Sequence, residues 1–388
     1  MDIEKLKSRV VAELDARRTE LARLSRKIHR NPEMGFQEVK AAGWLTGYLE
    51  DNGFKVEKGI CRLSTAFRGR YGKAEPAIAL LAEYDALPGV GHACGHNIIC
   101  TAAVGAAVAL KGAIDRVGGS VVVIGTPGEE VYGGKIIMAE RGAFADVDAA
   151  MMVHPSVSDI ANTQALACIS LEVEFYGKAA HAAASPEEGI NALEAMIQAF
   201  NAINSLRQHI DQRARIHGII THGGEAANVV PAYAAGNFLV RAMDDAYLEE
   251  LKAKVLNCFK AASVATGARL KHRWAAYYAP LKTNNALADL FVKNMATLGR
   301  KLGPSRGTAL GSSDVGNVSA LVPTIHPMLA IAPAEVSIHS TEFAAAAVSA
   351  DGVRGLIDGA KAMAMTAVDL IAQPRLLARV REEFLSSR

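Results

Sequence analysis

Ala77-Ile78-Ala79-Leu80-Leu81-Ala82 runs straight into Glu83-Tyr84-Asp85-Ala86-Leu87-Pro88-Gly89, and one residue further on stands Gly91-His92-Ala93-Cys94-Gly95-His96-Asn97. Six consecutive apolar residues are too few for a core helix and show no alternation. They read as a strand buried on both faces. The polar turn that stops it carries carboxylates, imidazoles and a thiol. The pattern recurs twice. Ser120–Ile124 is a β-branched run stopped by Thr126-Pro127-Gly128, and Asp148–Val153 is an apolar run stopped by His154-Pro155. An Ala-rich helical stretch, Thr101–Lys111, lies between the first two. Strands alternating with helices predict an α/β layer with a largely parallel sheet. Ligands of such sheets sit beyond the carboxyl ends of the strands, where these three clusters fall.

Working outward, Lys5 to Leu49 reads as helical with a break at Asn31-Pro32. The texture changes near Ala167. Ile169, Leu171, Val173 and Phe175 alternate with Ser170, Glu172 and Glu174, as in a half-exposed strand. A helix follows Pro186, with Ile190, Leu193, Ile197, Phe200 and Ile203 expected on one face. Strand-like runs Ile216–Thr221 and Gly236–Met243, a helix over Tyr247–Thr266 and a strand over Ala268–Trp274 complete a β-α-β-β-α-β order. From Tyr277 the chain returns to Ala-rich helices and apolar strands (Thr308-Ala309-Leu310, Met328–Ala332), then ends in a charged helix from Pro374. The expected division is residues 1–166 and 277–388 as two parts of one domain, with 167–276 inserted as a ferredoxin-like α+β unit.

The 388 residues are half hydrophobic and 21% charged, with 42 basic and 40 acidic side chains for a net charge of +2. Dominant disorder is excluded. So small a net charge gives no reason to expect nucleic acid or an anionic membrane as partner. The charged N-terminal stretch has no apolar signal core, and the longest apolar runs fall short of a membrane span. Five scattered cysteines imply no disulfide framework, and a cytoplasmic setting is expected.

Cys94 and His96, two residues apart in a Gly-rich turn, suit one borderline divalent ion, although the seven-residue turn alone reads equally well as a structural one. Glu129-Glu130 follows the second strand. Adjacent carboxylates there allow one to bind metal and the other to act as base, but alone they are an acidic turn. His154 ends the third strand. The coincidence of three strand ends carrying Cys/His, Glu/Glu and His lifts the metal reading. His339, in Ile338-His339-Ser340-Thr341-Glu342-Phe343, is a fifth candidate ligand. Cys94, His96, Glu130, His154 and His339 are too many for one tetrahedral zinc and fit a two-metal site. In the inserted unit, His181 in a small-residue loop suits a donor to a developing oxyanion, and Arg241 suits a substrate carboxylate. Asn228 follows Gly223-Gly224 in a turn ending at Pro231.

These motifs, in this order, resemble the M20 metallopeptidase family and its amidohydrolase branch. Gly91–His96, Gly128-Glu129-Glu130, His154-Pro155, Gly177–His181, Gly223-Gly224 with Asn228-Val229-Val230-Pro231, and His339–Phe343 carry the likeness. Ala82–Gly89 and Ser313–Ser319 are similar to the aminobenzoyl-glutamate hydrolases and the dipeptidase-like M20 proteins. The resemblance implies a two-metal catalytic domain with a mixed sheet flanked by helices, plus an inserted lid that carries dimer contacts. It implies two divalent ions per chain, zinc or manganese, with cobalt or nickel as alternatives. It implies Cys94, His96, Glu130, His154 and His339 as metal ligands and Glu129 as general base. His181, Asn228 and Arg241 become groups for the oxyanion or the substrate carboxylate. Asn97 stands where many relatives carry Asp.

The expected reaction is hydrolysis of the amide bond of an N-acyl or N-aroyl amino acid, or of a dipeptide, by a metal-activated water. The expected partners are that small substrate with its free carboxylate and a second copy of the chain, as a homodimer. Three other readings stay open on the residues: hydrolytic deamination of an aromatic amine, a non-catalytic metal- or carboxylate-binding protein, and a Cys–His nucleophile.

Overall fold

The structure, a computed structural model, describes residues 2–303 and 311–386. It divides into two compact units. Among the described residues the larger comprises 2–164, 281–303 and 314–386, and the smaller 165–280 and 311–313.

In chain order the strands are β1 (Lys55–Lys58), β2 (Phe67–Gly72), β3 (Ala77–Ala82), β4 (Ser120–Gly125), β5 (Ala149–Met151), β6 (His154–Ser156), β7 (Ala167–Tyr176), β8 (Arg215–His222), β9 (Tyr233–Ala242), β10 (Arg269–Tyr278), β11 (Thr324–Ile325) and β12 (Met328–Ala330). The larger unit is built on a six-stranded sheet in the order β1-β2-β4-β3-β5-β11. β4, β3, β5 and β11 run parallel, and β1 and β2 add an antiparallel edge, so the sheet is mixed. Every residue of β3 and β4 is buried, as their unbroken apolar runs require. β12 pairs with β6 and extends the parallel arrangement past the ends of β5 and β11. The apolar run expected at 148–153 is thus split, with β5 ending at Met151 and β6 opening at His154.

The helix His96–Val117 is long and apolar enough to cross a membrane, yet it lies inside this unit, packed on β3, on the helix Ala350–Ala372 and on the N-terminal helices. Its alanines let these neighbours approach closely. The helical start resolves into Ile3–Ala16, Arg18–His29 and Val39–Asp51. β1 and β2 escaped the sequence reading because Lys55–Lys58 has a single apolar residue, Val56, and Phe67–Gly72 interleaves arginines and glycines with its two aromatics.

The smaller unit is a four-stranded antiparallel sheet in the order β10-β7-β9-β8, with the helices Ala192–Leu206 and Asp245–Thr266 as its two crossovers. That is the expected ferredoxin-like order. Leu171, Val173 and Phe175 of β7 point into its core while Glu172 and Glu174 do not. One helix face differs from expectation. The buried stripe is Ala192, Ala195, Met196, Ala199 and Ile203, and Ile197 is exposed. The helix begins at Ala192, capped by Asn191, and its buried stripe runs through small residues that apolar bulk alone does not flag. The strand expected at 308–310 lies outside the described residues.

Candidate metal centre

The carboxyl ends of the parallel strands converge on one cluster. β3 delivers Glu83 and Asp85, β4 delivers Glu129 and Glu130, β5 leads to His154 and β11 leads to His326. Cys94 and His96 flank the start of the long helix. Gly95 between them has φ +79°, and a Cβ there would stand 2.8 Å from Pro155 Cγ, so this turn admits only glycine. Gly128, with φ +69°, precedes the two glutamates, and a Cβ there would meet the Phe36 ring at 2.6 Å. His339 also holds a left-handed backbone, φ 71°, fixed by its N–H donating to the Ala93 carbonyl at 3.0 Å. Non-glycine residues rarely adopt that conformation, and such strain clusters at functional sites.

Cys94, His96 and His154 offer ligand atoms that all lie within 4.8 Å of one another, and so do Cys94, Glu130 and His339. The thiol is common to both sets. Its Sγ is 3.4 Å from His154 Nε2, and His154 Nδ1 faces the Pro155 carbonyl at 2.6 Å. His96 Nδ1 donates to the Asp85 backbone and side-chain oxygens at 2.9 and 3.0 Å. Its other nitrogen, Nε2, faces Glu83 Oε2 at 3.5 Å and Glu130 Oε1 at 3.9 Å. His339 Nε2 stands 3.6 Å from Glu130 Oε1. His96 Nε2 and Glu130 Oε1 are buried and make no hydrogen bond. Ring nitrogens and carboxylate oxygens held this way call for positive charge between them. Thiolate, imidazole and carboxylate together suit a borderline divalent cation, so these residues fit the expected metals.

Burial works against charge on His96, yet Cys94 and Asp85 hold its pKa well above the ordinary value, so the site draws a proton where a bound cation would take its place. Burial lowers His154 to about 4 and so keeps it neutral, as a ligand must be. Burial pushes the Cys94 thiol up strongly. A thiol held protonated is a poor nucleophile, which weighs against the Cys–His reading, and a coordinating cation would deprotonate it. Burial, followed by the Glu83, Asp314 and Glu130 carboxylates, raises Glu129 well above the usual carboxylate range.

Several residues at this centre escaped the sequence reading. Asp85 fixes His96 through its ring N–H, the role a second-layer carboxylate plays at metal sites. Asn97 turns away instead, donating to Ser25 Oγ at 2.8 Å and to the Ala347 carbonyl at 3.3 Å. The negative partner that Asn97 cannot supply therefore comes from β3. His326 packs edge-on against His154, ring centroids 5.3 Å apart. A signal for it existed: Ile325-His326-Pro327 repeats Val153-His154-Pro155 at the end of a neighbouring strand. Lys135, with no apparent partner in the sequence, is fully buried with its ammonium on Glu83 and Asp314.

The smaller unit presents its own candidates. His181 is exposed, and its Nδ1 accepts the N–H groups of Ala183 and Ala184 at 3.2 and 3.1 Å. Nε2 is thereby the protonated nitrogen, a donor facing outward. The Asn228 carbonyl accepts from Ala182 N–H at 3.0 Å, which places Asn228 in the same loop cluster as His181. Arg241 Nη1 donates to Ser312 Oγ at 3.3 Å, while its Nε is buried without a partner.

A parallel-stranded α/β unit with two triads of ligand-type side chains that share Cys94, interrupted by a ferredoxin-like unit, is the arrangement of a metal-dependent hydrolase of the two-domain kind. Residues 168–266 match the peptidase dimerisation domain. The chain is 38% identical to the Xaa-Arg dipeptidase of Mus musculus, over 99% of this chain and 93% of that one. It is 34% identical to a p-aminobenzoyl-glutamate hydrolase chain of Escherichia coli (strain K12), over 74% of this chain and 64% of that one. Its fold matches a dinuclear metal-binding M20 peptidase of Bacillus subtilis with a TM-score of 0.73 and 21% identity, covering 92% of this chain and 99% of the other. The chain belongs to the M20 peptidase family and is a hydrolase of that family.

Proposed function

We propose that this protein hydrolyses the amide bond of a dipeptide or an N-acyl or N-aroyl amino acid, and that Cys94, His96, Glu130, His154 and His339 would hold two divalent cations. The observation that carries this reading is the thiol common to two ligand triads. His96 and His154 complete one set, and Glu130 and His339 the other. Zinc or manganese fits these donors. When bound, the ions supply Lewis acidity toward the amide carbonyl and make a water nucleophilic near neutral pH.

The side chains do the rest. Glu129, adjacent to the ligand Glu130 and raised by its surroundings, takes the proton of the attacking water and returns it to the leaving amine. Asp85 holds His96 in one orientation. His181, with Nε2 as donor, is assigned to the developing oxyanion, and Asn228 and Arg241 to the substrate carboxylate. The dipeptidase and aminobenzoyl-glutamate hydrolase relatives support a substrate that ends in a free amino acid. The dimerisation-domain match supports a homodimer.

The test is amine release from a panel of dipeptides and N-acyl and N-aroyl amino acids, with Zn²⁺ or Mn²⁺ and again with chelator. Release that chelator abolishes and metal restores is expected. Folded, metal-loaded protein that releases no amine from any member contradicts the reading.

A further inference from the structure

Besides the two triads that share Cys94, Glu129 belongs to two further sets of ligand-type atoms, one with His96 and Glu130 and one that contains neither thiol nor imidazole. Carboxylate oxygens of Glu83, Glu129 and Asp314 all lie within 4.8 Å of one another. Three carboxylates so close, Glu83 and Asp314 buried and Glu129 half-buried, are a cation site by composition. Here the cation is part of the chain. Lys135 Nζ donates to Asp314 Oδ1 at 2.8 Å and to Glu83 Oε1, and the Lys135 backbone N–H donates to Asp314 Oδ2 at 2.9 Å. The side chains of all three are at most 1% exposed. Glu83 then reaches past the ammonium, with its Oε2 3.5 Å from His96 Nε2. Lys135 is thus tied through one carboxylate to a metal ligand and lies among the carboxylates that flank the base.

A buried ion cluster is expensive to assemble, and apolar residues of similar volume often hold a fold as well or better. Stability alone therefore gives little reason for this one. Its place at the strand ends, with Glu129 as its third acidic member, does. Without the ammonium, Glu129 would face Glu83 and Asp314 with no balancing charge between them and would be driven away from the centre.

We propose that Lys135 is a positioning residue for hydrolysis: its ammonium serves as the resident cation among Glu83, Asp314 and Glu129 and so holds the base carboxylate beside the metal ligands. This rests on the hydrolase reading above. It assigns Lys135 no contact with substrate, so its removal should act on turnover and leave substrate binding and the metals in place.

The experiment compares metal-loaded wild type with Lys135→Met and Lys135→Met/Asp314→Asn, measuring kcat, KM and metal content on a dipeptide that the wild type cleaves. Lys135→Met should lower kcat by roughly 100-fold, with KM within about threefold and the wild-type metal content, in the range expected for outer partners of a metal site. Removing the unbalanced charge in the double variant should recover at least about threefold of that loss; a role in filling space would give no such rescue. A loss in kcat below about tenfold, a loss of metal, or a double variant no better than the single one overturns the proposal. Should Lys135→Met not fold, the double variant stands alone: a kcat within about thirtyfold of wild type agrees, and a lower one overturns. Wild type that is inactive on every substrate contradicts the hydrolase reading itself, whereas an active wild type with an equally active Lys135→Met contradicts this inference only.

Discussion

The larger unit buries Glu83, Asp85, Lys135, Asp314 and three histidines, whereas among the described residues of the smaller unit no polar or charged residue is buried as a whole, Arg241 hiding only its Nε. The smaller unit is an ordinary apolar sandwich of sheet and helices, with Phe175, Phe238 and Phe259 at its centre and its ion pairs on the surface. Both are built from the same kinds of strand and helix. The difference shows where free energy has been given up for chemistry. Each buried ion costs several kcal/mol unless paired, and the most deeply buried pairs of the larger unit, those of Lys135 with Glu83 and Asp314, lie at the strand ends. The smaller unit instead keeps its candidate groups, His181 and Asn228, in an exposed loop cluster where they cost the fold little.

The largest effect is expected at the base. Glu129→Gln should lower kcat by roughly 10³-fold while both metals stay bound, since the amide keeps the shape and loses the proton acceptor. Near-normal turnover would remove Glu129 from its role. Next comes the exposed loop of the smaller unit. His181→Ala should lower kcat by roughly 10²-fold without changing metal content or thermal stability, as loss of a single oxyanion donor does. A large drop in melting temperature would instead make His181 structural and blur the contrast between the units.

A third prediction concerns a buried acid outside the ligand sets. Glu38 accepts the Gly128 N–H at 2.8 Å and the Thr65 hydroxyl at 2.8 Å, and so anchors the loop that precedes Glu129. Burial raises it from 4.5 to about 7. The native state therefore holds this proton more tightly than the unfolded chain. The associated stability is present in full below the unfolded value and is lost as pH rises through 7, amounting to about 3 kcal/mol by pH 8. Glu38→Gln mimics the protonated acid. Its melting temperature relative to wild type should climb between pH 5 and pH 8, and a flat difference would contradict the assignment. The smallest effect belongs to the surface of the smaller unit. Arg273 pairs with Glu172 at 2.7 Å in an exposed position, and Arg273→Ala should cost less than about 1 kcal/mol on chemical denaturation. A larger cost would mean that charge matters to this unit as well.

How much of this was legible in the sequence follows from the same contrast. The strands β3 and β4 and the ferredoxin-like order were readable because buried parallel strands and half-exposed antiparallel ones leave different apolar patterns. Cys94, His96, Glu129, Glu130 and His154 were readable because each follows a strand or turn that announces itself. Lys135 was not. Its partners Glu83 and Asp314 stand 52 and 179 residues away, and a lysine after Gly133-Gly134 looks like a solvated one until the fold closes around it. Asp85 stands in a readable motif, but its bond to His96 depends on where the turn after β3 meets the long helix. Ile197 was misplaced because small residues carry the buried stripe of its helix.

The most direct test of the central claim is the number of divalent ions bound per chain by wild type and by Cys94→Ala after dialysis against trace Mn²⁺ or Zn²⁺. A thiol shared by two sets predicts two ions in wild type, the loss of both in Cys94→Ala, and the loss of one in His339→Ala, with each variant folded. Two ions retained in Cys94→Ala, or a single ion in wild type that His339→Ala leaves in place, would contradict the shared-thiol centre.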